Sequence, residues 1–177
     1  DAQTGRRGEG KRDMTITVSE SPRLLMPGMA DFEPGIERYR VTGGAVTAVL
    51  LGAGDRLQVI DPEGCQPVEV AAFDQDGRSD PGLLGDLPHG ASGAPATGIA
   101  AILAADQHDA RRVADALAAK GIDLAAATAV HLFAPDSPAG LEAWLTATTD
   151  VVCVIGVTGG KMLPHEQNPP TDIITFI

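Results

Sequence analysis

Between Gly54 and Phe73 the chain alternates apolar with polar or small residues on both sides of a turn that carries Pro62, Gly64 and Pro67. A period of two fixes strands and excludes helix over this stretch. Leu57 and Val59 before the turn, with Val68 and Val70 after it, read as a half-buried pair of strands. Asp61, Glu63, Gln66 and Glu69 gather in and around the turn, and all four side chains can exchange hydrogen bonds with a ligand. The same residues admit a plainer reading, in which Asp61-Pro62-Glu63-Gly64 only makes the turn, proline fixing φ and glycine supplying a positive one. On the sequence both readings stand.

Around this block the chain is punctuated in the manner of a small β protein. Residues 1–13 carry Arg6, Arg7, Lys11 and Arg12 without apolar periodicity and read as a disordered basic arm. Residues 14–177 then read as a single domain. Thr15–Val18 is a short β-prone run, and Leu25, Met26 and Phe32 anchor an extended, proline-interrupted segment. Tyr39 and Val41 lead to a Gly43-Gly44 turn, Ala45–Leu51 is a strand, and Gly52–Asp55 closes a hairpin into Leu57 and Val59. Turns this frequent and rich in glycine point to an antiparallel sandwich or barrel. Residues 74–97 are loop, anchored by Leu83, Leu84 and Leu87 and carrying a solvated His89. Ile99, Ile102 and Leu103 make a short helical face that Gly98 weakens. Asp106 as N-cap, then Ala110, Val113, Ala114, Leu117 and Ala118, with Gly121 as the stop, make an amphipathic helix. Ala129–Phe133 is a strand with His131 in its middle, held by a hydrogen bond. Ser137-Pro138 starts a second helix through Leu141, Trp144 and Leu145. Val151–Ile155 is apolar throughout, as in a central strand buried on both faces. The fold class is therefore α+β, a mainly antiparallel sandwich or barrel with two amphipathic helices packed on it.

Charge and composition exclude several functions. The formal charge is −11 with aromatics at 3%, and the arm at residues 1–12 offsets only part of it, so nucleic acid is not an expected partner. No apolar run approaches the roughly 18–20 residues that cross a bilayer, and no signal peptide is evident, so the expected setting is cytoplasmic without membrane contact. Cys65 and Cys153 lack C-x-x-C spacing and read as two buried free thiols, a disulfide being the alternative. Gly52-x-Gly54 lacks the third glycine and the helix of a dinucleotide loop, and Gly159-Gly160-Lys161 has Ile155 where a phosphate loop needs glycine. A second polar cluster, His165 and Glu166 with Asn168 and Asp172, would form a pocket with the Asp61 cluster if the two met. The last strand, Ile173–Ile177, is expected to be cut from a longer chain.

Two blocks carry a resemblance. The run from Gly54-Asp55-Arg56-Leu57 to Asp61-Pro62-Glu63-Gly64-Cys65-Gln66-Pro67-Val68-Glu69 resembles the opening of the urea carboxylase-associated domain family. Asp150, the apolar strand, Gly159-Gly160 and Asn168-Pro169-Pro170-Thr171-Asp172 resemble that family's close. With Phe32-Glu33-Pro34-Gly35 and Ala134-Pro135-Asp136-Ser137-Pro138-Ala139-Gly140 added, the chain looks like the N-terminal region of trimethylamine-N-oxide demethylase-like proteins, over roughly residues 26–177. That resemblance implies a parent aldolase yielding dimethylamine and formaldehyde, with a tetrahydrofolate-binding C-terminal part. It also implies zinc or iron in the rest of the parent, contact with the parent's remaining domains, and a homo-oligomer. The metal-holding family keeps Cys and His residues in the middle and late parts of the domain. Here Thr158 stands near the late Cys position, Cys153 falls inside the strand, Glu69 replaces an Asp, and residues 80–130 supply no counterpart. This segment is therefore expected to hold no metal and no cofactor and to be non-catalytic. Asp61, Glu63, Gln66, Glu69, His165 and Glu166 remain its ligand-binding candidates, with a small-amine-binding module and a metal-dependent protein using His131 or His165 as the alternative functions.

Overall fold

A computed structural model describes residues 30–33, 36–89, 91, 93–105, 108–158 and 170–177. Their strands are β1 (Ala30–Glu33), β2 (Ile36–Val41), β3 (Val46–Leu51), β4 (Arg56–Asp61), β5 (Val68–Phe73), β6 (Leu84–Gly85), β7 (Gly93–Pro95), β8 (Thr128–Leu132), β9 (Leu141–Ala147), β10 (Val151–Val157) and β11 (Ile173–Phe176). Two α-helices, α1 (Thr97–Ala104) and α2 (His108–Ala118), separate β7 from β8. The strands form two antiparallel sheets, one in the order β1-β2-β11-β4-β9-β6 and the other in the order β3-β10-β5-β8-β7. Tyr39, Leu57, Val59, Leu145 and Ile173 of the first sheet share one core with Val49, Val68, Val70, Val130, Cys153 and Ile155 of the second, so the sheets are stacked as a sandwich.

The two sheets differ because their sequences do. In β4 and β9 alternate residues are buried, Leu57 and Val59 in one and Ala143, Leu145 and Ala147 in the other. Every residue of β5 is buried, and β10 is buried at all but Val152. A strand apolar on both faces needs cover on both. The second cover is a helical layer, in which Ile99, Val113 and Leu117 pack on Ala48, Ala71, Phe73, Ala129 and Val154. Val113 and Leu117 follow the expected helical spacing, and α2 gives way to a turn at Gly121, whose φ is +74°. The contact between α1 and the sheet needs glycine on both sides. A Cβ on Gly98 would lie 2.2 Å from Thr158 Cγ2 and 2.8 Å from Glu69 Oε1, and one on Gly156 would lie 2.6 Å from Ile99 Cγ1. Gly98 is thus the residue that lets this helix sit down on the sheet.

Several expectations are corrected. The Gly54–Phe73 strands do not pair: β4 lies between β11 and β9, and β5 lies in the opposite sheet between β10 and β8. Gly52–Asp55 likewise carries the chain from one sheet to the other and closes no hairpin, because β3 pairs with β10. Period two reports only that a strand has a buried face, and the partner here is distant in sequence. The helix expected from Ser137 is a turn followed by β9. Burial at Ala143, Leu145 and Ala147 has a period of two, and the Ser137 hydroxyl donates to Asp61 instead of capping a helix. The second helix is α1, the segment that Gly98 argued against. Of the two cysteines, both free, only Cys153 is buried; Cys65 is exposed with φ of 60°. Leu84 is buried and Leu83 and Leu87 pack against the core, as expected. The arm at 1–13, the Leu25 and Met26 anchors, Asp106, the 159–161 run and the His165-Glu166 cluster lie outside the described residues.

Two predictions follow from the core. Burial pushes the Cys153 thiol from 9.0 up to about 12. Above pH 9.0 the unfolded chain releases this proton while the native chain keeps it, so its contribution to stability is intact below pH 9.0 and lost as the pH rises toward 12. A thiol-disulfide reagent at neutral pH is expected to modify Cys65 promptly and Cys153 only on unfolding. The second concerns Thr175, fully buried on β11 with its hydroxyl unpartnered among the described residues. Thr175→Val keeps the shape and removes the orphan, and urea unfolding is expected to show a gain of about 1 kcal/mol.

Candidate functional site

The expected site residues are tied into the backbone. Asp61, the last residue of β4, faces inward with Leu57 and Val59 and has no exposed surface. Its Oδ1 accepts from the Gly64 N–H at 2.8 Å, and its Oδ2 accepts from the Gln66 N–H at 3.0 Å and the Ser137 hydroxyl at 3.3 Å. Gly64 is needed twice over. Its φ is +82°, and a Cβ there would lie 2.7 Å from Ala139 N and 2.8 Å from Ser137 O. The 137–140 turn is drawn against this loop by two further bonds, Cys65 N–H to Ser137 O at 2.9 Å and Gly140 N–H to Asp61 O at 2.8 Å. Asp61 therefore fixes the corner where the chain leaves one sheet for the other.

Gln66 extends this network, and Glu69 makes a tie of its own. The Gln66 Oε1 accepts from the Thr171 N–H at 2.8 Å, which anchors the approach to β11. The Pro67 carbonyl accepts from the Gln66 Nε2 at 2.9 Å and from the Thr158 N–H and hydroxyl, each at 3.3 Å. Glu69 points to the outer face of its sheet, where Oε1 accepts from the Gly98 N–H at 2.9 Å and Oε2 from the Ile99 N–H at 2.8 Å. A carboxylate set across the first amides of α1 satisfies donors that the helix leaves open and meets the positive end of its dipole. His131, registered opposite Glu69 on β8, keeps its Nε2 3.9 Å from Oε1. Glu63 is exposed at the tip of the turn. Asp61 thus meets Gln66 at its backbone N–H, whereas Glu69 is engaged separately, by the first amides of α1. His165 and Glu166 lie outside the described residues.

Beyond the C-terminal end of the loop, Gly43 and Asp172 make a second tie. The Gly43 N–H donates to Asp172 Oδ1 at 3.0 Å, and Arg40 pairs with Oδ2. The backbone bond from Gly43, with Arg40 beside it, lowers the Asp172 pKa against the effect of desolvation.

A separate groove of ≈ 430 Å³ opens between Pro88, His89 and Ala91, the end of β8 and the start of β9. His131, Phe133 and Glu142 line it together with Leu132, Leu141 and Ala143. Phe133 holds φ at 58°, uncommon for a bulky residue and a local strain at the groove wall. The sequence places His89 in a loop and His131 in a strand and gives no sign that they line one cavity. Nothing in the sequence marks Glu142 and Phe133 as its neighbours. Among the described residues no three His, Cys, Asp or Glu side chains converge to hold a metal ion, and no helix is long and apolar enough to cross a membrane.

The network predicts distinct costs. Asp61→Ala strands three donors, and urea unfolding is expected to show a loss of about 3 kcal/mol. Glu69→Gln keeps one acceptor and turns the other toward an N–H as a donor, for a loss of about 1–2 kcal/mol. Losses below about 0.5 kcal/mol at both positions would contradict the assignment.

No protein-family model matches the chain. Over 154 residues, which is 87% of the chain, it is 36% identical to the trimethylamine-oxide aldolase of Ruegeria pomeroyi. The matched region is 19% of that relative's length. The chain is homologous to this segment of a much longer enzyme.

Proposed function

We propose that the chain is a non-catalytic structural and assembly domain of a trimethylamine-oxide aldolase-type enzyme. The observation that carries this reading is the engagement of the Asp61, Gln66 and Glu69 side chains by donors of four separate segments: backbone amides of the turn at 62–67, of the approach to β11 and of the start of α1, and the Ser137 hydroxyl of the turn at 137–140. Groups so placed define where segments sit, and Asp61 presents no surface to a substrate. A carboxylate-lined amine pocket at the same residues would require Asp61 and Glu69 to release these donors, each left buried at a cost of about 1–3 kcal/mol.

In the parent enzyme trimethylamine N-oxide would be split into dimethylamine and formaldehyde, a cleavage that conserves every atom of the substrate. Tetrahydrofolate in the C-terminal part would take up the formaldehyde, and zinc or iron, where used, would be held outside this segment. The domain itself would supply contact to the remaining domains and to further copies in a homo-oligomer.

The intact mass of the protein from its native source tests the parent reading: a mass well above 18.2 kDa is expected, and a native product of 18.2 kDa would contradict it. The non-catalytic assignment is tested in the parent by Glu69→Gln. Thermal stability should fall while kcat per folded enzyme stays within about twofold. A loss of about a hundredfold in kcat at unchanged stability would place the carboxylate in the chemistry.

A further inference from the structure

Strand β9 has an edge that no described strand covers. It pairs with β4 along its whole length but with β6 only at Thr146 and Ala147. In an antiparallel ladder alternate residues direct their N–H and C=O to the same neighbour. The Ala147 N–H donates to Asp55 O at 2.9 Å, so Ala143 and Leu145 also bond toward β4, and the backbone groups of Glu142 and Trp144 are directed away from it. Leu141 and Trp144 are exposed here at 39% and 38%, among the few large apolar side chains that are.

An uncovered edge of this kind is a template for pairing, and natural proteins guard such edges with Lys, Pro or a bulge. Leu141–Leu145 reads Leu-Glu-Ala-Trp-Leu and has none of these. Its one charge, Glu142, is held by Gln58 Nε2 at 2.6 Å, and Arg56 stacks 4.4 Å from the Trp144 ring centroid. The groove beside Leu141, Glu142 and Ala143 leaves room next to Leu132 and Phe133 for an apolar side chain arriving from this edge. Among the described residues no Lys or Arg lines it, Glu142 does, and the chain as a whole carries −11. Another copy of so acidic a chain is the poorer match, and a segment bringing its own cation is the better one.

We propose that the Leu141–Leu145 edge of β9, with the adjoining groove, is a strand-addition site for an extended segment of the parent polypeptide outside these 177 residues. The segment would alternate apolar residues, one entering the groove and the next but one lying along the sheet, and would place a Lys or Arg near Glu142. This rests on the reading of the chain as part of a longer enzyme, which the 19% coverage of the relative supports.

Hydrogen exchange read by mass spectrometry over residues 141–147 tests it in the full-length parent and in the 177-residue chain. Exchange at this edge is expected to be slower in the parent by at least about tenfold. Trp144→Pro removes the outward N–H while sparing the bonds from Ala143 and Leu145 to β4, and Glu142→Lys reverses the local charge. Each should erase the difference in the parent, and either variant that folds yet keeps the slow exchange would overturn the proposal. Equal exchange in parent and chain would also overturn it and would leave the parent reading standing. Protection in the 177-residue chain that grows with its concentration would assign the edge to a second copy and overturn it too. A native protein of 18.2 kDa would remove the proposed occupant and the parent reading together.

Discussion

The Asp61 carboxylate holds one of the corners at which the chain passes from one sheet to the other. β4 ends at this residue in one sheet and β5 begins seven residues later in the other, so the intervening turn must change layer as well as direction. Such a turn exposes backbone donors to the interior, and a buried amide without a partner is costly. One fully buried carboxylate accepts two of these amides and the hydroxyl of Ser137, and so brings the entry to β9 to the same corner. Gln66 and Glu69 repeat the device for the approach to β11 and the start of α1.

The remaining architecture depends on this corner being fixed. Once β5 is placed in the second sheet, its two apolar faces require a layer on each side, and the first sheet and the helices provide them. Glu69 on β5 sets where α1 begins, Gly98 and Gly156 let the helix come within contact distance, and Ile99 closes the space between. The first sheet has no such second cover from the two helices. Its outer surface carries Arg38, Phe176, Gln58 and Trp144 in register across four strands, with Arg38 near the Phe176 ring and Arg56 over Trp144. A face of that composition, ending at the uncovered β9 edge, suits a domain that meets others.

Much of this was legible in the sequence and some could not be. Period two located β4 and the inward set Leu57, Val59, and the unbroken run at Val151–Ile155 gave a central strand buried on both faces, because burial per residue is written locally. The spacing of Ala110, Val113 and Leu117 gave α2 for the same reason. Pairing is not local: nearly every strand here has its partners far away in the chain, so two hairpins were inferred where the chain changes sheets. Ser137-Pro138 has the form of a helix start, and only the presence of Asp61, distant in sequence, shows that its hydroxyl is used otherwise. Gly98 argued against a helix on propensity, whereas its meaning is close approach to Thr158 and Glu69. The polar residues at 61, 63, 66 and 69 were identified as a group by composition, but whether they faced a ligand or the backbone was a matter of three-dimensional neighbours. The groove beside His131 and Glu142 draws on three separate segments and left no local mark.

Whether the buried carboxylates serve the fold or a ligand is tested most directly by a ligand titration. With the chain labelled for amide resonances, trimethylamine and trimethylamine N-oxide are added into the millimolar range and the signals of Gly64, Gln66, Gly98 and Ile99 are followed, since these N–H groups bond to Asp61 and Glu69. All four signals are expected to stay in place. A saturable shift at these amides would show that a ligand competes for the carboxylates, and would contradict a role confined to the fold.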